Sequence, residues 1–431
     1  MSYFYIQEKL TPDIFQIMNY KTRIIFRISL FIQITIFITG ISSSQKIFAQ
    51  EKINVQKISI TQAVETALAN NPDLQNAQLS IKESKLAKKG VLNFEPTQFN
   101  YHHGQINSML IDQSFEIDQN FGSILTHFKN GKYLNEKIAL SETEYTIAEK
   151  QVTVLVKKAY LKWVFIINQY KIKQQKADLL KEFVRITQLK YNLGESNVLE
   201  QIIAETEYAS VNNEIQKIKE ELMIAENNLK QIMNKEGDYI PESDSLEIIS
   251  LNPSTDTDER FSSAILLNYY NNLYLIEQAK LNIERSKFFP EISAGYFNQE
   301  INNTPGFNGW SIGVSFPVWF IPQNVSVQQA KIESEKALNT LEYQKFNIEK
   351  EIENLVIKLD QLQNNLIYYH ENALIKADAL ITMATLQFEK EDIEYFEFLE
   401  SIKTALDIKL NYLNTLFEYN ITAVDLEFYI K

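Results

Sequence analysis

The chain contains no cysteine and little glycine or proline, with 11 Gly and 9 Pro among 431 residues. Without cysteine it can form no disulfide, no thiolate zinc site, no iron–sulfur cluster and no lipidated cysteine anchor. So few glycine and proline residues leave little material for the many turns of a β-sandwich or a doubly wound α/β fold. Long helices are therefore the expected main element.

Positive charge is also scarce, because 42 basic residues stand against 55 acidic residues and the net charge is -13. Phosphate binding requires clustered Lys and Arg, so no nucleic-acid partner is expected. Patterns that carry catalysis are missing too. His370 and Glu371 begin a zinc-protease pattern, but Leu374 stands where the second ligand is required. We therefore predict no enzyme activity, no catalytic residues, no metal site and no cofactor.

The N-terminal region has the pattern of an export signal. Lys21, Arg23 and Arg27 precede an apolar stretch over residues 28–41, and small residues follow it. This order predicts a signal peptide over residues 1–50, with Met18 as an alternative translation start. A membrane anchor is the competing interpretation, but the stretch is shorter than the about 20 residues that a spanning helix needs.

Apolar residues spaced three and four apart dominate the rest of the chain, which is typical of helices with one buried stripe. The clearest run forms a heptad seam, and its members are Ile215, Ile218, Leu222, Ala225, Leu229 and Ile232. The pattern predicts long helices over residues 138–190, 198–234, 326–386 and 394–430. Helices of this kind reach on the order of 80 Å and indicate a coiled coil or a helical tube.

Two windows break the helical period and predict β-hairpins, over residues 96–121 and 290–318. In the second window large apolar residues alternate strictly with small ones. The large residues are Trp310, Ile312, Val314 and Phe316, and the small ones include Ser311, Gly313 and Ser315. The two window starts, Pro96 and Pro290, are 194 residues apart.

Further matches between the two halves indicate an internal duplication. Residues at the first predicted helix-to-helix turn recur 196 or 197 positions later at the second. The first set is Leu189, Tyr191, Gly194 and Leu199, and the second is Leu386, Phe388, Glu391 and Tyr395. We therefore predict two structural repeats, over residues 51–250 and 251–431, each with one hairpin and two long helices.

The hairpins leave two interpretations open. If their apolar faces contact lipid, the strands must belong to a closed barrel, because an unpaired edge leaves amide groups without partners in hydrocarbon. One chain offers four strands and the smallest membrane barrels have about eight, so closure requires several copies. If they do not contact lipid, each is a soluble hairpin packed against helices.

The duplicated layout resembles the TolC-type outer-membrane efflux proteins, and the resemblance covers essentially all of residues 51–431. It includes the helix start at Asn70, Asn71 and Pro72 and the turn at Tyr191, Gly194 and Leu199. The segments over residues 104–108 and 286–299 resemble the branch that accompanies heavy-metal pumps of the resistance-nodulation-division type in Bacteroidetes-like bacteria. The fold class implied is mainly α with β-hairpins, in a duplicated protomer of long coiled-coil helices.

The resemblance implies a homotrimer that shares a 12-stranded barrel in the outer membrane and extends a helical tube through the periplasm. Its implied partners are outer-membrane lipid, a periplasmic adaptor and an inner-membrane pump, and its implied role is a passive exit duct. Trp310, Ile312, Val314 and Phe316 are then expected to contact lipid.

The resemblance also assigns the two helix-to-helix turns to the periplasmic tips, where the adaptor docks. The implied docking residues are Leu189, Tyr191, Gly194, Leu199, Leu386, Phe388, Glu391 and Tyr395. Glu397 and Glu400 match acidic positions that form rings at the pore constriction, where they favour cations. Since Glu391 replaces a glycine, the second tip is expected either to use Asp392 differently or to be longer.

Two other function classes remain to be weighed. A periplasmic helical scaffold or adaptor that never enters a membrane also accounts for the long helices, but it has no use for the apolar face of residues 310–318. A surface metal-binding protein predicts clustered ligands, whereas the sequence has four separated or oppositely facing His and no Cys.

Overall fold

The computed structural model describes residues 55–195, 197–249 and 265–430. The predicted signal peptide over residues 1–50 lies outside the described residues, as does the start of the second predicted repeat. Nearly all described residues belong to one unit, Lys57–Lys431. Among them, no helix combines the length and the apolar character that crossing a membrane requires.

The first repeat contains a short strand, two short helices, a hairpin and two long helices. Strand β1 spans Gln56–Ile58, and helices α1 and α2 span Ile60–Asn70 and Pro72–Lys89. The hairpin consists of β2 (Gln98–Gly104) and β3 (Asp112–Gly122). The long helices are α3 (Ile124–Leu193) and α4 (Val198–Met233), and the short strand β4 (Tyr239–Pro241) pairs with β1.

The second repeat follows the same order. Helix α5 spans Ile265–Ser286, and the hairpin consists of β5 (Glu291–Ile301) and β6 (Thr304–Ser315). Helix α6 (Phe320–Tyr368) continues through a π-helical turn (Tyr369–Ala373) into α7 (Leu374–Glu389), and α8 spans Tyr395–Ile430.

Two of the long helices, α3 and α6, begin earlier than the sequence predicted. Helix α3 starts at Ile124 rather than near residue 138 and contains 70 residues, which corresponds to about 105 Å. Gly131 lies inside it, and a Cβ at that position would meet only Val91 at van der Waals distance. Helix α6 starts at Phe320 rather than near residue 326, because Pro322 lies in the first turn, where amide groups have no helical acceptor. Neither residue acts as a helix breaker here.

Local capping accounts for the short helices. Ser59 and Gln62 form a reciprocal capping box at the start of α1. The Asn71 side chain accepts hydrogen bonds from the amides of Asp73 and Leu74, and Pro72 occupies the first position of α2. One helix therefore ends and the next begins between Asn70 and Pro72, and the Asn71 side chain satisfies backbone amides that are left free at this point.

The π-helical turn explains a shift in the spacing of the duplication. Ser123 and Trp319 precede the long helices of the two repeats and are 196 residues apart, whereas the tip residues Gly194 and Glu391 are 197 apart. A π turn inserts one extra residue into a helix. The single insertion over Tyr369–Ala373 matches the change in spacing, although the sequence predicted one regular helix over 326–386.

The two hairpins combine into one antiparallel sheet with the strand order β2-β3-β5-β6. Strand β3 pairs with β5 over most of its length, and the register shifts at a bulge between Asn120 and Gly122. The helices that continue from the strands pack in the matching order, with α2 on α3, α3 on α5 and α5 on α6. The strands and the helices that connect to them therefore lie in the same spatial order. Strand β2 and helix α2 are at one side, and β6 and α6 are at the other.

Three apolar clusters hold the helices together. The largest surrounds Trp163 and Phe165 of α3 and includes Met233 of α4 and Val424 of α8. The second lies at the helix-to-helix turns, around Phe183. The third joins Ile352 of α6 to residues near the end of α8, and Ala423 and Leu426 are among its buried members.

One buried polar residue connects α8 to the chain that follows β4. The Asn420 side chain is fully buried, donates to the carbonyl of Glu247 at 2.8 Å and accepts from the amide of Ile249 at 2.9 Å. These two bonds satisfy backbone groups that have no regular secondary structure to pair with. Asn420 therefore attaches the segment over residues 242–249 to the helices.

We predict that Asn420→Ala lowers stability by about 1–3 kcal/mol, because it leaves a buried donor and a buried acceptor without partners. The measurement is thermal unfolding of the purified protein followed by circular dichroism. Asn411→Ala, an exposed position on the same helix, serves as the control and should leave the midpoint unchanged. Equal midpoints for the two variants would show that Asn420 is not a structural anchor.

Candidate functional site

The sheet has one apolar face, which is exposed in the single chain. Pairing places Trp310 opposite Tyr296, Ile312 opposite Ala294 and Val314 opposite Ile292, so these side chains share a face. Phe99, Phe115 and Ile117 continue the same face across β2 and β3. Trp310, Ile312 and Val314 are 76%, 66% and 60% exposed, and Phe316, just beyond β6, is 64% exposed. An exposed apolar surface of this extent marks an interaction site.

The other face of the sheet consists mainly of polar and small residues, with Phe297 and Phe307 as its large apolar members. Its members on the inner strands include Ser114, Glu116, Asp118 and Ser293, and β6 contributes Gly309, Ser311 and Gly313. A side chain at Gly295 would collide with Asp118 and Ser311, and one at Gly313 would collide with Ser293. A side chain at either glycine would therefore force these polar side chains on adjacent strands to shift.

Both outer strands of this sheet are edges within the described residues. Strand β2 pairs only with β3, and β6 pairs only with β5. Each therefore presents a row of backbone amide and carbonyl groups on its outer side. Such rows are templates for pairing with another strand.

The first helix-to-helix turn ends α3 with a glycine in the left-handed conformation. Gly194 has φ of 77°, and the amide of Glu195 donates to the carbonyl of Lys190 at 2.9 Å. This six-to-one bond is the Schellman arrangement, which satisfies carbonyls at the end of a helix. Asn197 then caps α4 by accepting from the amide of Glu200.

The second turn adopts the same arrangement without a glycine. Glu391 itself takes the left-handed conformation, with φ of 65°, and the amide of Asp392 donates to the carbonyl of Gln387 at 2.9 Å. The expected different use of Asp392 is therefore wrong, whereas the connection between the helices, residues 390–394, is one residue longer than residues 194–197 at the first turn. The chain accepts the steric cost of a left-handed glutamate, roughly 1–2 kcal/mol, and keeps the turn short.

An ion pair connects the two turns. Lys190 Nζ lies 2.9 Å from Glu391 Oε1, and the same ammonium lies 5.7 Å from the centre of the Phe388 ring. Lys190 belongs to the end of α3 and Glu391 follows α7, so the contact joins the two helical hairpins of one chain. Sequence reasoning missed this pair, because the two residues are 201 positions apart and nothing in the local pattern marks Lys190.

An aromatic cluster lies beneath the ion pair. Phe183 of α3 contacts Phe388 of α7 and both Tyr395 and Phe398 of α8, with ring centres 4.9–5.5 Å apart. Phe388 also stacks on Phe398 at 4.7 Å. Burial raises the pKa of the Tyr395 hydroxyl, with a further contribution from the negative charges of Glu207 and Glu200. The cluster therefore packs the two tips against each other.

The predicted docking residues divide into a surface set and a core set. Leu189, Tyr191, Leu199 and Leu386 are exposed, which leaves them accessible to a partner. Phe388 is only 7% exposed and Tyr395 is half-buried, so both are part of the aromatic cluster. In this conformation the rings of these two residues pack between the two helical hairpins, so less of their surface is open to a partner.

The predicted constriction residues lie at the start of α8. Glu397 and Glu400 are exposed and line a groove of about 510 Å³ between α7 and α8, opposite Met383 and Gln387. Glu400 has a partner in Lys403, whose Nζ lies 3.9 Å away. Glu397 lies in the first turn of α8, where a negative charge interacts favourably with the helix dipole. The structure brings the two carboxylates onto one surface of this groove.

An apolar cavity lies where the sheet and the helices meet. It has a volume of about 690 Å³ and is lined mainly by apolar side chains, among them Leu92, Phe94, Phe121, Phe128 and Ile292. In the described ranges, no three His, Asp or Glu side chains are grouped in a way that could hold a metal ion.

No protein-family model matches this sequence, and no curated protein matches it either. Solved structures do match. CusC has a TM-score of 0.73 at 15% identity, with 85% of this chain and 90% of that chain covered. VceC, an outer-membrane protein of Vibrio cholerae, has a TM-score of 0.70 at 14% identity, with 86% and 94% covered. MtrE, an outer-membrane channel of Neisseria gonorrhoeae solved in its open state, has a TM-score of 0.69 at 13% identity, with 85% and 87% covered.

These matches define the class of fold. The chain has the fold of TolC-type outer-membrane channels along most of its length, with long helices and β-hairpins in the order that the duplication predicted. The predicted fold class, mainly α with β-hairpins, is confirmed.

We predict that Glu391→Gly raises stability by about 0.5–1 kcal/mol. Relief of the left-handed penalty exceeds the loss of an exposed ion pair, which is worth at most about 1 kcal/mol. Glu389→Gly removes the same side chain two positions earlier, where the backbone is helical, and should instead cost up to about 1 kcal/mol. Thermal unfolding of both variants provides the measurement, and a lower midpoint for Glu391→Gly would contradict this account of the turn.

Proposed function

We propose that this protein is an outer-membrane channel that serves as the exit duct of a tripartite efflux system. The observation that carries the proposal is the four-stranded sheet, which combines an exposed apolar face with two unpaired edges and continues into helices of up to 70 residues. It is supported by the fold shared with CusC, OprN and MtrE, of which OprN and MtrE are described as outer-membrane channels.

The barrel is completed by other copies of the chain. In hydrocarbon each unpaired backbone group costs several kcal/mol, so β2 and β6 need partner strands. Antiparallel order is preserved if β6 of one copy pairs with β2 of the next. Three copies supply twelve strands, with the apolar face toward lipid and the polar face, which includes Glu116 and Asp118, toward the passage.

The helices extend from the barrel into the periplasm and carry the partner contacts. Leu189, Tyr191, Leu199 and Leu386 are exposed at the tips and provide the docking surface for a periplasmic adaptor. The adaptor in turn connects the duct to an inner-membrane pump of the resistance-nodulation-division type. The duct makes and breaks no bonds, because the pump supplies the energy.

Heavy-metal cations are the cargo that we propose. The sequence resemblance to the heavy-metal branch supports this choice, and so do Glu397 and Glu400 at the tip end of α8. Three copies would present six carboxylates in a narrow mouth of low dielectric, where charge selects strongly.

We predict that Ile312→Lys prevents stable membrane assembly, because a charge near the bilayer midplane costs about 2–4 kcal/mol on the lipid face of a barrel. Ser311→Lys, one residue away on the polar face, should assemble normally. The measurement is the amount of protein that stays in the membrane fraction after an alkaline wash. Release of the unmodified protein by the wash would refute the duct and favour a periplasmic scaffold, whereas normal retention of Ile312→Lys would show that this face does not contact lipid.

We also predict that replacing both Glu397 and Glu400 with Gln reduces the preference for cations severalfold in planar-bilayer conductance, divalent cations included, while trimers remain intact. Glu371→Gln removes an exposed carboxylate from the π-helical turn instead and should leave selectivity unchanged. If the double variant keeps the original selectivity, the two carboxylates are ordinary solvated residues.

A further inference from the structure

The apolar cavity between the sheet and the helices has one basic end. Its wall near the sheet consists of apolar side chains, including Phe94, Phe121 and Ile292. Its wall further along the helices contains Lys88 of α2 and Lys132 of α3. Among the described residues that line it there is no aspartate or glutamate, although the chain as a whole is acidic. The cavity is therefore amphipathic.

The two ends are separated along the axis of α3. Ile124 begins this helix directly below the sheet, and Lys132 lies eight residues later, which corresponds to about 12 Å. Helix α2 runs in the opposite direction, because its Ser84 contacts Ser141 of α3 whereas the later Val91 lies beside Gly131. Lys88 precedes Val91 by one turn, so it also lies on the side away from the sheet.

The two lysines of the cavity are available to a ligand. Within the described residues neither Lys88 nor Lys132 forms an ion pair. By contrast Lys85, almost one turn before Lys88, lies 2.8 Å from Glu142 of α3. An anionic group bound between the two ammonium groups would therefore meet no competing carboxylate in the cavity wall.

The apolar end of the cavity is already formed in the single chain. His127 donates from Nε2 to the carbonyl of Phe121 at 2.8 Å, which joins the start of α3 to the end of β3. The Phe94 ring contacts the rings of Phe121 and His127 edge-on, with centres 5.5 Å apart in both cases. Preformed apolar walls with a few polar groups at defined positions are typical of sites for small ligands.

Gly131 keeps the middle of the cavity open. Glycine inside a helix is less favourable than alanine, and the packing does not require it, since a Cβ here would meet only Val91 at 3.8 Å. A large side chain at this position would instead occupy the space of the cavity, which Gly131 lines. A ligand in the cavity would give this glycine a reason.

The cavity borders the face of the sheet that the proposed barrel turns toward lipid. Ile292 lines the cavity and pairs with Val314 of the apolar face. Ile124 and Phe128, which are 54% and 71% exposed, extend this apolar surface onto α3. Because β3 and β5 connect to helices at this end, the cavity lies at the periplasmic boundary of the membrane in the proposed duct.

We propose that the cavity binds an anionic phospholipid of the periplasmic leaflet, with one acyl chain in the apolar end and the phosphate between Lys88 and Lys132. The proposal rests on the proposed duct, because it takes the apolar face of the sheet to contact the membrane. The chain then points toward the sheet and the headgroup toward the helices, which is the orientation of a phospholipid in that leaflet.

Size and charge both favour this occupant. The volume of about 690 Å³ lies within the range of about 300–1,000 Å³ that is usual for small-ligand sites. A phosphate accepts strong charge-assisted hydrogen bonds from lysine. An apolar protein segment in the same place, such as part of a second copy, would leave both ammonium groups buried without partners, which is costly.

Native mass spectrometry of the purified protein in detergent tests the proposal directly. We expect phosphatidylglycerol to bind with one molecule per chain, about tenfold more tightly than phosphatidylcholine of the same chain length, as expected for one charge-assisted hydrogen bond. Inorganic phosphate has no acyl chain and should not displace the lipid. Equal affinity for the two lipids would overturn the proposal.

The headgroup contact is tested by a double variant. Lys88→Gln with Lys132→Gln should abolish the preference for phosphatidylglycerol while weak binding of both lipids remains. The matched control is Lys89→Gln with Lys137→Gln, which removes two exposed lysines of the same helices that do not line the cavity. This control should keep the preference, and the same preference in both double variants would show that the phosphate lies elsewhere.

The position of the acyl chain is tested at Gly131. Gly131→Phe should weaken the binding of both lipids about tenfold, because the ring fills the cavity. Gly131→Ala adds only a Cβ, for which there is room, and should bind lipid as the unmodified protein does. If Gly131→Phe has the circular dichroism spectrum of the unmodified protein and binds phosphatidylglycerol normally, the chain does not occupy this cavity. If Gly131→Phe dissociates trimers in detergent that contains no lipid, and phosphatidylglycerol binds to neither protein, a second copy covers the cavity and the proposal is wrong.

Membrane retention separates the lipid site from the duct. If the unmodified protein resists an alkaline wash but shows no preference for phosphatidylglycerol, the lipid site is wrong and the duct stands. If the wash releases the protein, the duct is wrong, and so is the placement of the lipid in the membrane.

Discussion

The structure depends on the free edges of one four-stranded sheet. A sheet whose apolar face is exposed and whose outer strands have unpaired backbone groups satisfies neither water nor lipid by itself. The conflict lies in β2 and β6, and folding of a single chain cannot remove it. In the duct that we propose, further copies supply the missing strand partners, which also gives the polar face and the matched order of helices a physical reason.

Internal duplication explains how one chain can carry both halves of its own interface. The two repeats meet inside the chain at β3 and β5 and at α3 and α5. Within the described residues, the same kind of contact is left unmade at the outer sides, at β2 and α2 and at β6 and α6. In the barrel that we propose, copies of this duplicated unit are added in one direction around the ring, and the number needed for closure follows from the twist and tilt of the strands.

The sequence predicted the structure best where a local residue pattern has a single physical cause. Alternation from Trp310 to Val314 predicted a strand with two unlike faces, and heptad spacing predicted the long helices. It was least informative where the outcome depended on residues distant in the chain. Phe388 matched a surface position in the resemblance but is buried by Phe183, and no local pattern reveals the π-helical turn at residues 369–373. The path of α3 past Gly131 was missed because the tolerance of glycine depends on neighbouring packing.

The second tip shows how such distant contacts override a local rule. A glutamate with positive φ costs roughly 1–2 kcal/mol, and the exposed pair that Glu391 forms with Lys190 returns at most about 1 kcal/mol. The ion pair alone therefore does not offset the strain. The aromatic contacts of Phe183, Phe388 and Phe398 contribute about 0.5–1.5 kcal/mol each beyond the area they bury, and they require a short turn that keeps α7 and α8 close. Apolar packing between the two hairpins, rather than the visible ion pair, thus fixes the conformation of the tip.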